Sequence, residues 1–458
     1  MEETHVVTCF LRNRGEVLLL RRSDEVGSYA GLWGGVAGHV EGDPDAGGRT
    51  ASSEPTPADA RKDVAAREDT TARENDTARE DAAAREEIAE ETGLLDACTL
   101  ARRGVSFSFE DEELDTEWVV HPYLFDCERR DAETDWETAD AEWVHPTEIL
   151  RRETVSNLWT SYSRVAPTVG RVAEDEDHGS AYVSVRALEV LRDRAGSFAV
   201  QETGGWDQLA DLADALLDAR PSMAAVGNRV NRAMADAADE GRTPEAVERA
   251  ARDGIERAYR ADERAAEAAA DRIRGDRVLT LSRSGTVLDA LPAAAAAFVA
   301  ESRPAREGVG VAEALAESAD GERPEVTLHT DAAAAHVLAT ADVDAVVVGA
   351  DAVLPDGRVV NKTGTRGVAI AAAREGVPVH AVAASDKVRT DDAVHLEEGE
   401  AGAVYDGEAD IDVLNPTFDA TPADLIASVV TERGALDADG VSQVAEELQE
   451  LAAWRDGE

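Results

Sequence analysis

Apolar and polar positions fall into three textures along the chain. Residues 4 to 22 hold VVTCFLRN and EVLLLRR joined by Arg-Gly, which predicts two antiparallel strands in a hairpin. VSFSF and EWVVHPYLF continue the short-strand pattern farther along the N-terminal third. From about 180 to 275, apolar residues recur at three- and four-residue intervals, as in WDQLADLADALLDA, the spacing of amphipathic helices. After Arg277 come VLTLS, AFVAES, VTLHT, DAVVVGA and VPVHAVAA, most of them separated by alanine-rich helical segments. Such alternation predicts a parallel sheet with crossover helices. A main boundary falls near residue 155, with a helical subdomain ahead of the sheet.

Residues 47 to 83 interrupt the first texture with Gly, Ser, Thr, Pro, Asp and Ala-Arg-Glu repeats. Arg67, Arg73, Arg79 and Arg85 recur every six residues. At about 100° per residue that step scatters them in three directions, so the repeat offers no single apolar face. Residues 47–82 read as an expansion tolerated on a loop. The last copy runs on into IAEETGL, which places Glu87, Glu90 and Glu91 at i, i+3 and i+4 on one helical face, with Gly93 as its stop. Three carboxylates on one turn repel one another, and a hard divalent cation, Mg2+ or Mn2+, would remove that repulsion.

Composition changes the picture in one direction. The 458 residues carry a formal net charge of -49, spread along the chain, and the only lysines are Lys62, Lys362 and Lys387. This resembles the proteomes of salt-accumulating halophilic archaea, with the acidity serving solubility. The charge argues against nucleic acid or anionic membrane as a partner. With no apolar stretch near twenty residues and no leader, a cytoplasmic, multi-domain protein is expected. Cys9, Cys98 and Cys127 lack metal-type spacing, so neither a zinc site nor a disulfide framework is expected.

GLWGGVAGHVEGD (31–43) and AAREEIAEETGL (83–94) together resemble the two halves of a Nudix box. The resemblance spans about residues 4 to 152. It implies that Glu87, Glu90 and Glu91 hold the metal and act in catalysis, that Gly38 opens the box, and that Asp43 and Gly93 belong to it. Three departures stand out: Asp43 replaces a glutamate and comes one residue early, Glu86 takes the box arginine's place, and about thirty-five residues split the box. The implied activity is hydrolysis of a nucleoside diphosphate derivative, with the metal bridging the diphosphate and activating water.

In an open parallel sheet, ligands bind beyond the carboxyl ends of the strands. There the sequence places Ser282, Arg303, Asp351 and Lys387, and Asn361 and Lys362 follow in NKTGT. Two lysines in a chain that otherwise uses arginine suggest phosphate. ARPSMAAVGNRV, LTLSRSGTVL, ESRPAREG, VVVGADAVLPDGRVVNKTGT and FDATPADLIASVVTERG resemble the alpha, beta and delta subunits of initiation factor 2B and the methylthioribose-1-phosphate and ribose-1,5-bisphosphate isomerases. That resemblance implies a Rossmann-like sheet, a homodimer, and a pocket for a phosphorylated sugar or nucleotide.

The isomerases of that family use a cysteine after the first sheet strand and an aspartate in Gly-Ala-Asp. Asp351 is present, but the cysteine position is Ser282. A serine hydroxyl does not replace a thiolate without a base beside it.

The expected protein is therefore α/β throughout: a Nudix α/β/α sandwich with mixed sheet at 1–152 (insert 47–82), a linker and helical subdomain at 153–276, and a Rossmann-like domain at 277–458. Its expected function is Mg2+-dependent hydrolysis, with a C-terminal domain that binds a sugar phosphate or nucleotide and is not an active isomerase. A non-catalytic regulator stays open as the alternative, and isomerisation through Ser282 and Asp351 ranks last.

Overall fold

The computed structural model describes residues 2–26, 28–40, 76–317 and 323–455. They form two compact units, Met1–Ala166 and Pro167–Glu458.

The first unit is built on a mixed eight-stranded sheet. Arg14 and Gly15 both take positive φ, 51° and 82°, and close the hairpin between Glu2–Asn13 and Glu16–Arg22 as a tight two-residue turn. Glu2–Asn13 also runs parallel to Thr116–Cys127, from Glu2↔Thr116 to Arg12↔Asp126, and antiparallel to Val36–His39. A helix over residues 76–92 lays Ala84 and Ile88, both fully buried, against Val7, Cys9, Leu94 and Tyr123. The helix therefore begins inside the stretch read as a tolerated loop. Asp81 anchors that end, accepting from Arg103 at 2.6 Å and from the Tyr123 hydroxyl at 3.0 Å.

Cys98 and Cys127 face each other across Cys98–Arg103 and Thr116–Cys127 as free thiols, sulfur to sulfur 2.7 Å. The Cys98 amide donates to Leu95, the Cys127 carbonyl accepts from Asn13, and Glu128 N–H reaches Ala97. The pair is thus the non-hydrogen-bonded kind, in which side chains of adjacent strands approach most closely.

The second unit starts with five helices, Val169–Glu174, Ser180–Gln201, Trp206–Ala219, Ala224–Asp239 and Pro244–Arg272. Their apolar stripes, including Val183, Leu188, Leu191, Leu209, Val230 and Ile255, close a core of their own. A seven-stranded sheet follows in the order Glu325–His329, Ala296–Ala300, Arg277–Thr280, Ala345–Gly349, Val379–Val382, Ser428–Thr431, Gly434–Leu436. All neighbours are parallel except the last pair. The inner parallel strands are mostly buried Val, Ala, Leu and Phe, as a sheet covered on both faces requires, whereas the edge strand Glu325–His329 stays largely exposed. Chain order runs outward in both directions from the adjacent strands Arg277–Thr280 and Ala345–Gly349, so the topological switch point lies between them. A small three-stranded sheet, Ala352–Val353, Val359–Lys362 and Phe418–Thr421, hangs beyond that edge. Among the described residues, no helix is long and apolar enough to cross a membrane.

Candidate functional site

Ser282 and Asp351 follow the two strands that flank the switch point, the place where open sheets of this kind bind ligands. Ser282 holds φ +64° and Ser302, at the end of the neighbouring strand, φ +62°. Both are left-handed conformations that cost a non-glycine residue about 1–3 kcal/mol and persist only where surroundings impose them. Those surroundings are visible: Ser282 N–H donates to Ser302 Oγ at 2.6 Å, and the amides of Ser302 and Arg303 donate to the Asp331 carboxylate at 2.8 and 2.7 Å.

Gly308 brings the helix Glu307–Glu317 against this turn. A Cβ there would lie 1.9 Å from the Ala300 carbonyl oxygen, so only glycine permits the approach. The approach delivers Glu307. Its Oε2 accepts from the Ser282 hydroxyl at 3.0 Å, and its Oε1 pairs with Lys362 Nζ at 2.9 Å.

Asp351 keeps a narrow exposed face. Burial pushes its carboxyl above the usual carboxylate range, and Lys387 and Lys362 pull it back only in part. Lys387 is buried and donates to the Ala350 carbonyl at 2.8 Å, and Asn361 is buried with its amide on Thr365 Oγ1 at 2.9 Å. Asp351 lines a cavity of about 30 Å3, with Ser222, Arg389, His395, Glu397 and Phe418 among its walls. That volume is water-sized.

The loop carrying Lys387 is fixed from the helical side. Asn228 Nδ2 donates to the carbonyls of Asp386 and Val388 at 2.8 and 2.7 Å, while Arg229 and Arg232 reach the Asp386 carboxylate at 3.2 and 3.3 Å. Burial opposes ionisation of Asp386, but the two guanidiniums outweigh it and hold the carboxyl below its usual range.

Of the residues expected here, Ser282 and Lys362 therefore meet through Glu307, and Asp351, Asn361 and Lys387 lie around the same strand ends. Arg303 does not join them. Its backbone is turned by Asp331, and its exposed side chain pairs with Glu301 at 3.5 Å. Glu307 and the Arg229/Arg232 clamp escaped the sequence reading. For Glu307 the signal was its position just before the close-packed Gly308 in ESRPAREG.

In the first unit, Gly38, Glu87, Glu90 and Glu91 line a separate cavity of about 400 Å3. Gly38 has a physical reason to be glycine, since a Cβ would lie 1.6 Å from Glu87 Oε1. The glutamates, however, differ sharply. Glu91 lies on the same stripe as Ala84 and Ile88, and burial, reinforced by Glu87, pushes its carboxyl up to about 8, while Glu90 is exposed. Glu91 accepts from the Ala37 amide at 3.3 Å. Gly93 takes φ +64° at the end of the helix. Asp43 lies outside the described residues. Among the described residues, no group of three or more His, Cys, Asp or Glu side chains is gathered to hold a metal ion.

The second unit is a doubly wound α/β protein with polar and charged groups collected at the switch point of its sheet. The chain belongs to the initiation factor 2 subunit family, whose model matches residues 176–438. It is 32% identical over 309 residues to the ribose 1,5-bisphosphate isomerase of Haloferax volcanii, a match that covers 62% of this chain and 94% of that protein. It is 38% identical over 130 residues to the methylthioribose-1-phosphate isomerase of Pseudomonas syringae pv. tomato, covering 26% of this chain and 36% of that protein. Among solved structures, the translation initiation factor eIF-2B of Pyrococcus horikoshii OT3 aligns with a TM-score of 0.48 at 24% identity, over 58% of this chain and 94% of that one.

Two expectations are corrected by these findings. The first is hydrolysis of a nucleoside diphosphate derivative as the chain's activity: the relatives are isomerases, and the matched family region begins at residue 176, beyond the glutamates on which hydrolysis was to rest. The second is the ranking that made the C-terminal domain a non-isomerase and isomerisation the last choice. It assumed a serine with no base beside it, and Glu307 stands 3.0 Å from the Ser282 hydroxyl.

Proposed function

We propose that the second unit isomerises a pentose 1-phosphate, converting a ring-closed aldose whose C1 oxygen carries phosphate into the corresponding ketose 1-phosphate. The observation that carries this reading is Asp351, a carboxyl that burial pushes above its ordinary range at the switch point of the sheet, one strand from Ser282. Relatives that are isomerases of ribose 1,5-bisphosphate and methylthioribose 1-phosphate support it, the former along 94% of its length.

The chemistry sets what the site must supply. Phosphate on C1 blocks simple ring opening, so the C1–O4 bond breaks with its electron pair left on O4, which takes a proton from an acid. A base removes the proton from C2, and that electron pair forms a C1–C2 double bond. The enol at C2 then loses its hydroxyl proton, C1 gains a proton, and a ketone results at C2. Asp351 suits the acid, giving its proton to O4 and recovering one from the C2 hydroxyl. Lys362 and Lys387 are the cations at hand for phosphate, and compact ammonium groups suit it.

The test is carbon-13 NMR of ribose 1,5-bisphosphate and methylthioribose 1-phosphate incubated with the purified full-length protein in molar potassium chloride. Growth of a ketose C2 carbonyl signal from either sugar supports the reading. Both sugars returning unchanged removes it.

A further inference from the structure

Resting on the isomerase reading, one question stays open: which group takes the C2 proton when the residue after the first sheet strand is a serine. We infer that Glu307 is a positioning residue that makes Ser282 the base, through a proton relay held in place by Lys362.

Three geometric facts support the relay. The Ser282 hydroxyl donates to Glu307 Oε2 at 3.0 Å, so the serine's proton is already directed to the carboxylate that would take it. Lys362 Nζ holds the other oxygen, Oε1, at 2.9 Å and itself lies 5.8 Å from the centre of the Phe418 ring, so the carboxylate is fixed from both ends. Finally, the arrangement is imposed by the backbone. Ser282 is held in the left-handed region by its bond to Ser302, and Glu307 is delivered by a helix that only Gly308 allows so close to the Ala300 carbonyl.

In the step itself, the C2–H bond breaks and its proton passes to Ser282 Oγ as the serine's own proton passes to Glu307 Oε2. The electron pair left on C2 forms the C1–C2 double bond as the C1–O4 bond opens. When the enol collapses to the ketone, Glu307 returns its proton to Ser282, and Ser282 delivers one to C1. Serine and glutamate end as they began, and no co-reactant enters. A lone serine has too weak a base in its hydroxyl oxygen for this, and an adjacent carboxylate supplies what a thiolate would carry by itself.

The experiment compares Glu307→Gln, Ser282→Cys and the double variant with wild type, using steady-state ketose formation against pH, with circular dichroism to confirm folding. Loss of a general base lowers rates about 10²- to 10⁴-fold. Glu307→Gln is expected to lose kcat in that range with KM within about threefold of wild type. The double variant is expected to recover at least tenfold over Glu307→Gln, with a new rise in rate toward the thiol range near pH 8.5, because a thiol ionises without the glutamate. A structural role for Glu307 would give no such rescue. Glu307→Asp, which keeps the charge and withdraws it by one methylene, is expected to fall between. Wild-type kcat in Glu307→Gln, or no rescue by Ser282→Cys, overturns the relay while the isomerase reading stands. Wild-type protein that forms no ketose overturns both.

Discussion

Asp386 offers the sharpest structural test. Its carboxylate is 8% exposed, Arg229 beside it is 2% exposed, and Arg232 completes the cluster from the next turn of the same helix. Replacing Asp386 by Asn keeps shape and removes the charge, which leaves Arg229 buried with Asp262, 3.7 Å away, as its remaining carboxylate among the described residues. Breaking a buried pair from one side costs about 3–5 kcal/mol. Because Asp262 remains and Arg232 is 21% exposed, the low end applies, about 3 kcal/mol, or roughly two powers of ten in the unfolding equilibrium. Urea unfolding of the full chain, read by circular dichroism, should show the second unit's transition displaced by that amount. Asp391→Asn is the control: its partner Arg389 is buried but Asp391 itself is 58% exposed, and exposed pairs contribute at most about 1 kcal/mol. The sign against pH follows as well. The folded carboxyl of Asp386 lies below its unfolded value, so its contribution is present above about pH 4 and is lost as pH falls through the folded value. A midpoint for Asp386→Asn no lower than that of Asp391→Asn would refute the assignment of this cluster as the tie between the helices and the loop that carries Lys387.

Other perturbations read different parts of the account. Gly308→Ala, whose methyl would collide with the Ala300 carbonyl, should destabilise the second unit by roughly 2–3 kcal/mol in the same assay and displace Glu307 from Ser282. Cys98 and Cys127 should cross-link when a small-molecule disulfide such as oxidised glutathione accepts their two hydrogens, detected by intact mass as the loss of both. Closing the intervening 29-residue separation should raise the first unit's stability by about 3–4 kcal/mol. Because Asp351 must be protonated to act as acid and burial raises its folded value, isomerisation should fall as pH rises through that value, a limb absent from any residual activity of Asp351→Asn.

What the sequence disclosed follows from the range of the interactions involved. Strands and turns are local, so the Arg14–Gly15 hairpin and the apolar strands of the parallel sheet were legible, and with them the polar residues at strand ends, Ser282, Asp351 and Lys387. Strand order is not local. That Arg277–Thr280 and Ala345–Gly349 lie side by side is what puts Ser282 and Asp351 at adjacent strand ends, and sixty-odd residues separate them in the chain. Glu307 was missed for the same reason: Gly308 beside it hints at a close approach without telling that the helix docks its first residue on Ser282, and judging the serine alone reversed the order of the functional hypotheses. Asp386 meets Arg229 across 157 positions. Side-chain burial along a helix is likewise set by what the helix packs against. Glu87, Glu90 and Glu91 share a helical face by spacing, yet packing of Ala84 and Ile88 draws Glu91 inward and leaves Glu90 out.

The central claim is that the switch-point site performs isomerisation with Asp351 as its acid. The most direct measurement is the rate of ketose formation from ribose 1,5-bisphosphate by the wild-type protein and by Asp351→Asn, followed by carbon-13 NMR in molar potassium chloride. The account predicts turnover by the wild type and a loss of at least about a hundredfold in the variant, with the fold retained. Equal rates in the two proteins, or no ketose from the wild type, would contradict it.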